Sequence, residues 1–383
     1  MNFAKKAFIF SGTLAAAFAA KADDVVIYGT ISSSIESIAT SGASNNGTTK
    51  PTQTRLTDNN SRIGFRGNED LGNGLKAIWQ VETSLRGVEQ GGTNDYGASS
   101  TWGTRNTFVG LQDEKYGRFI VGYNDNAYKS LVGSASEFGN INVMANTSAD
   151  TWGAGPGYYT IFSRGETRMK NSMHYTSSVF AGFQLAASYG VDETRTNGTS
   201  QSRESLAAKY VSGAWKIGFG YDRQNDTAGY ASATTAVSGK SVSYYKLVTS
   251  YQFPTRTLLG GGIEEGRYDS AAGSVMSQTG WTVSVTQPVS DRWALKASYS
   301  HLGGLSNPTS GSSSDYTAKQ WVLGTSYDLS RRTQLFAYYT RINNGADQNV
   351  NFGFNPVTTS SSAVALATGS TVHALGLGMS VTF

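Results

Sequence analysis

Cysteine is absent from the 383 residues, which removes disulfides, thiolate metal sites and cysteine nucleophiles together. Histidine (3) and proline (6) are scarce. Charged residues make up 15%, against about 25% in an ordinary soluble domain. No stretch supplies the roughly 20 consecutive apolar residues of a membrane helix. Residues 348–383 carry no Asp, Glu, Lys or Arg, yet Asn, Ser and Thr throughout 349–371 break any apolar run there. What is abundant is glycine (45) and aromatics (12%), with Tyr (21) ahead of Phe (17) and Trp (7). A disordered chain would lack that many aromatics.

The first 22 residues read as an address. Lys5 and Lys6 precede an uncharged stretch, 7–20, and Ala20-Lys21-Ala22 has small residues at the two positions a signal peptidase reads. Cleavage is expected between Ala22 and Asp23, giving a signal peptide over 1–22 and one mature unit over 23–383. The signal holds three basic residues and no acids, so the mature chain has 28 basic against 27 acidic residues, net +1. A clustered basic face for nucleic acid is not indicated.

Alternation with a period of two runs through the mature chain. Trp215, Ile217, Phe219 and Tyr221 interleave with Lys216, Gly218 and Gly220. Phe183, Leu185, Ala187 and Tyr189 repeat the pattern, as do Trp293, Leu295, Ala297 and Tyr299. Period two means strands with one apolar and one polar face. The polar partners here are mostly Gly, Ser, Ala and Gln, and aromatics gather at strand ends. That suits a barrel facing lipid outside and water inside. Short turns, such as Asp70-Leu71-Gly72-Asn73-Gly74 and Ser212-Gly213, alternate with polar stretches at 40–60, 87–103, 192–202, 225–240, 303–315 and 343–369. About sixteen strands are counted. The fold expected is all-β: a sixteen-stranded antiparallel transmembrane β-barrel. Its third long connection, 125–167, is out of scale, and loops of that length are usually functional. The chain ends on an alternating strand with Leu375, Leu377, Met379, Val381 and the terminal aromatic Phe383, read as an assembly signal.

Parity also sorts the charges. Ile63 and Phe65 turn Arg62 and Arg66 to the lumen, and Met169, Met173 and Tyr175, read as outward, leave Arg168, Lys170 and His174 inside. Lys76 and Glu82 are inward too. Arg105 shares its parity with Thr107 and Val109. Charge on the lipid face costs about 2–4 kcal/mol at mid-bilayer, so inward Arg is the cheap arrangement. A basic half-ring opposite Glu137, Asp125 and Asp150 is expected, with some of these Arg only bracing the wall. The local cationic excess predicts weak anion preference.

Catalysis would need an activated His. His174, His301 and His373 carry no motif around them, and Gly239-Lys240-Ser241 lacks the earlier glycine of a phosphate loop. No metal site and no cofactor are expected. The nearer rival is a substrate-specific channel for sugars or anionic solutes, with Trp152, Tyr158, Tyr159 and Phe162 as an aromatic track. An outer-membrane barrel enzyme is the more distant rival.

Residues 61–82, SRIGFRGNEDLGNGLKAIWQVE, resemble the second hairpin of the Gram-negative general diffusion porins of Neisseria, Bordetella and Burkholderia relatives. Val26-Ile27-Tyr28-Gly29-Thr30, Arg105-Asn106-Thr107-Phe108-Val109-Gly110-Leu111, Tyr116-Gly117-Arg118, Arg168 with Asn171-Ser172, and Phe180-Ala181-Gly182-Phe183 follow in the family's order. The resemblance implies a trimeric, sixteen-stranded pore. It also implies that loop 125–167 folds into the lumen as the constriction and that Arg105 lines the pore. Ser136-Glu137-Phe138-Gly139 resembles the family's Pro-Glu-Phe-Gly, with Ser136 in place of proline. The function expected is passive diffusion of ions and small hydrophilic solutes across the outer membrane. The partners expected are outer-membrane lipid and lipopolysaccharide, the barrel-assembly machinery and two further copies of the chain.

Overall fold

The alternation seen in the sequence becomes a closed antiparallel sheet in the computed structural model, which describes residues 23–43, 49–85, 102–152, 160–193, 198–230, 235–357 and 366–383. The expected signal segment and Ala22 lie outside the described residues, as do Tyr158 and Tyr159. The sheet starts with β1 (Asp23–Ser41), β2 (Gln53–Asp58), β3 (Arg62–Gly72) and β4 (Leu75–Ser84). It continues through β5 (Thr107–Asp113), β6 (Gly117–Asp125), β7 (Arg168–Thr176) and β8 (Phe183–Gly190). Next come β9 (Arg203–Ser212), β10 (Trp215–Ala228), β11 (Thr235–Gln252), β12 (Leu258–Asp269) and β13 (Val275–Pro288). β14 (Trp293–Leu302), β15 (Ala318–Asp328), β16 (Thr333–Asn344) and β17 (Thr371–Thr382) complete it. From β3 onward each pairs with its sequence neighbour, and β17 pairs back onto β1 from Thr30↔Thr382 to Ser41↔Thr371. β1 pairs with both β2 and β3, which are therefore two halves of one strand and give the closed barrel sixteen strand positions. The break falls at Asn59-Asn60-Ser61, where Asn60 takes φ 62° and Asp58 accepts the Ser61 N–H at 2.9 Å.

The apolar rows are exposed: Ile217 (45%), Leu323 (60%) and Leu377 (60%) would be costly in water and are suited to lipid. The short turns follow local chemistry. Asn73 and Gly74 both have positive φ, as a two-residue hairpin turn demands. Two polar stretches expected to be loops are partly strand. Residues 225–240 include the ends of β10 and β11, and 40–60 includes β2. Beyond the lipid both faces of a strand are wet, so the apolar alternation fades while the hydrogen-bond ladder continues.

The opposite face of the wall is glycine-rich where another segment lies on it. A Cβ at Gly218 would meet Val132 and Phe138, one at Gly220 would meet Tyr128, and one at Gly260 would sit 1.7 Å from Ile141. Gly262 faces Phe162, and Gly324 faces Met144. The packed residues are 126–152 and 160–167, opened by the short helix α1 (Ala127–Val132), whose N-cap Asn126 accepts the Lys129 N–H at 3.0 Å. Tyr128, Val132, Phe138, Trp152 and Phe162 are fully buried there. Glycine at these inward positions leaves room for that layer.

Candidate functional site

A cavity of about 820 Å³ lies between β2–β7, the segment 129–150 and residues 353–356. Its charged lining is Arg62, Arg105, Arg168 and Lys129 against Asp58, Glu82, Asp125 and Asp150. The formal charges balance, but the two signs are not equally presented. Glu82 lies between Arg105 at 2.5 Å and Arg62 at 4.0 Å, and also accepts the Tyr28 hydroxyl at 3.0 Å. Asp125 sits 3.0 Å from Arg168 and 3.3 Å from Lys129 and accepts an amide hydrogen of Asn106. Asp150 accepts from Asn142, the Asn146 N–H and the Trp152 N–H. The Glu82 and Asp125 side chains are 9% and 5% exposed, whereas Arg62, Arg105 and Arg168 keep 29%, 16% and 13%. Acids form the floor and guanidinium groups the accessible surface.

Asn60 and Asn106 set the arginines. Arg105 donates to Asn60 Oδ1 at 2.8 Å, and Arg168 donates to Asn106 Oδ1 at 2.6 Å while its guanidinium lies 5.6 Å from the Tyr123 ring. Arg105 precedes β5, so strand parity does not govern it. Phe108 faces inward and Val109 is 57% exposed, and the irregular chain at 104–106 brings Arg105 in against that alternation.

Six of the expected residues thus meet in one cavity: Arg62, Glu82, Arg105, Asp125, Asp150 and Arg168. Three others do not. Arg66 is on the inner face but nearer the short turns, in a separate hollow with Lys76 and Arg118. Lys170 is exposed and lines a third, smaller hollow beside Arg203 and Gln224. Glu137 is the acceptor for Lys209 of β9 at 2.6 Å and Lys216 of β10 at 2.7 Å, which ties the segment's 3₁₀ turn (Glu137–Ile141) to the far wall. Met169, expected outward, is buried with its Cε towards Gly190. The register slips between Gly122 and Asn124 opposite Met169–Ser172, and alternation fails across that bulge.

Sequence reasoning missed Lys129, Asp58 and residues 353–356, which lie in a six-residue helix, at the end of a six-residue strand and in irregular chain, pieces too short to show a period. It also missed two buried networks that fasten the segment. Lys246 pairs with Glu166 at 3.0 Å beneath Tyr128, and Tyr128 donates to Glu264. Glu36 accepts from Arg55, Ser148 and Tyr338. Lys246 was legible, since it lies between Tyr245 and Leu247 on the polar face of β11.

A closed sixteen-stranded barrel with a lipid-facing exterior and a charged interior cavity defines an outer-membrane pore. The chain matches the Gram-negative porin family over residues 10–347 and belongs to that family. It is 28% identical over 347 residues to the major outer membrane protein P.IB of Neisseria meningitidis, covering 88% of this chain and 93% of that one. Its fold is similar to that of an anion-selective porin from Comamonas acidovorans, with a TM-score of 0.71 and 21% identity over 94% of this chain and 99% of the other. OmpT of Vibrio cholerae, solved in a trimer form, superposes with a TM-score of 0.64 at 15% identity, covering 94% and 99%.

Proposed function

We propose that the protein is a passive outer-membrane diffusion channel for ions and small hydrophilic solutes, with weak anion preference. The observation that carries the reading is the cavity in which Arg62, Arg105 and Arg168 cover the acids that neutralise them. An anion meets guanidinium first, and in a narrow low-dielectric lumen that charge is less screened than on an open surface. The segment 126–167 is the constriction in this reading, supported by its packing on the inward glycines. Selectivity then comes from size and fixed charge.

Trp152 and Phe162 meet edge to face with ring centroids 5.1 Å apart and are fully buried, which supports an anchoring role rather than a sugar track. No chemical step is proposed. The His174 ring nitrogens lie 2.8 Å from the hydroxyls of Ser172 and Ser188, and the side chain is buried, which favours a structural histidine over a general base. The working form is a homotrimer, as in the trimer form of its structural neighbour. It is exported by the 1–22 signal with cleavage at Ala22-Asp23 and held in lipid and lipopolysaccharide. Phe383 marks it for the assembly machinery.

A planar-bilayer recording across a salt gradient tests pore and sign together. Ohmic conductance with a reversal potential on the anion side is expected, and the bias should shrink in molar salt, where the Debye length is about 3 Å. Clear cation preference at low salt would overturn the sign, and no conductance would overturn the channel.

A further inference from the structure

Nearer the short turns, the inner wall holds a second hollow of about 280 Å³. Its charged lining is Arg66, Lys76 and Arg118, joined by the amides of Asn68, Gln80 and Gln112, and among the described residues no carboxylate lines it. Many other cations of the lumen are paired. Arg105 has Glu82, Arg168 has Asp125, Lys209 and Lys216 share Glu137, Lys246 has Glu166 and Arg203 has Asp222. Among the described residues, Arg66, Lys76 and Arg118 make no ion pair. Two acids of the neighbouring turns accept turn N–H groups. Asp70 accepts the Gly72 N–H at 2.8 Å, and Asp113 accepts the N–H groups of Lys115 and Tyr116 at 2.8 and 2.9 Å. Aromatic faces position the guanidinium groups without neutralising them. Arg66 lies 5.2 Å from the Tyr28 ring centroid and Arg118 5.7 Å from that of Phe108.

We propose that Arg66, Lys76 and Arg118 form a second anion subsite, at the short-turn mouth of the lumen, for small multiply charged oxyanions of the phosphate class. Two planar guanidinium forks and one ammonium match the oxygens of such an ion. Three unpaired cations facing one hollow repel one another, and the ion relieves that repulsion. The subsite rests on the channel reading and adds a step to it. An anion that has passed the arginine cavity dwells at the mouth, held weakly enough to leave.

The test uses the full mature chain in planar bilayers in potassium chloride, with inorganic phosphate added to one side. Sidedness is read from a Ser212→Cys variant, since the chain has no other thiol, with a membrane-impermeant thiol reagent. Phosphate on the short-turn side should reduce chloride current saturably and at lower concentration than from the other side. Each of Arg66→Gln, Lys76→Gln and Arg118→Gln should raise the half-blocking concentration about threefold, and the triple variant about tenfold or more. Lys76→Gln alone, at the start of a strand, keeps the test open if the triple variant does not insert. Arg105→Gln should move the reversal potential while leaving short-turn-side block within about twofold. Equal block from both sides, or block unmoved by Lys76→Gln and Arg66→Gln in conducting channels, would overturn the subsite and leave the channel standing. Absence of conductance in every salt would sink both.

Discussion

Glu82 and Glu137 are both acids on the lumen side, yet their surroundings give them different work. Glu82 is covered by Arg105 and Arg62, so removing Arg105 uncovers a carboxylate as well as deleting a cation. Arg105→Ala should move the reversal potential towards cations by more than one charge's worth, and Glu82→Gln should move it towards anions; a bilayer recording in a tenfold gradient reads both. Glu137 is a tether. Burial alone would raise its carboxyl, but Lys209 and Lys216 outweigh that and hold it below the ordinary range. A depressed folded value means that the tether's contribution is complete above the unfolded value of about 4.3 and is lost as pH falls through the folded one. Acidification from pH 6 towards pH 3 should therefore raise current noise as the 3₁₀ turn loosens. Glu137→Gln should show that noise already at pH 6 and respond less to acid. Equal acid responses in the two proteins would contradict the tether.

Among the elements, the segment 126–167 is held by shape more than by charge. Its buried side chains occupy space that the wall provides by using glycine, so either partner can be made to fail. Gly260→Val would drive methyl groups into Ile141 and should cost about 1–3 kcal/mol, displacing the segment while leaving the strand ladder intact. The expected readout is higher single-channel conductance with an unchanged heat-stable barrel on gels. Deleting 130–160 should raise conductance further and admit larger neutral solutes. If conductance is unchanged in both, the segment does not narrow the path.

At the scale of the whole molecule, the closing seam runs to the last residue. Phe383 exchanges two backbone hydrogen bonds with Gly29, at 3.0 and 3.1 Å, and the adjoining Thr382 begins the register with β1. A sheet that closes on itself has no edge, the condition for strands to span lipid. Deleting Phe383 should lower the amount of heat-modifiable barrel in the outer membrane severalfold, through the lost seam and the lost terminal aromatic. Normal levels would show that neither matters.

The sequence by itself determined the strands, their two faces and the identity of the inner wall, because a period of two is a local property that survives any arrangement of neighbours. It also placed Arg62 and Arg66 on one face correctly. Only the tertiary structure separated them. Four residues along a strand span about 13 Å, enough to put one in the arginine cavity and the other in the hollow at the short-turn mouth. The same limit applied to Arg105 and Met169, where irregular chain or a bulge cancels parity, and to Glu137 and Lys129 in a segment without period. Which acid answers which base depends on where non-periodic chain comes to rest against the wall. That is decided by packing across long sequence separations, such as Glu137 with Lys209 or Tyr128 with Glu264, which no local pattern encodes.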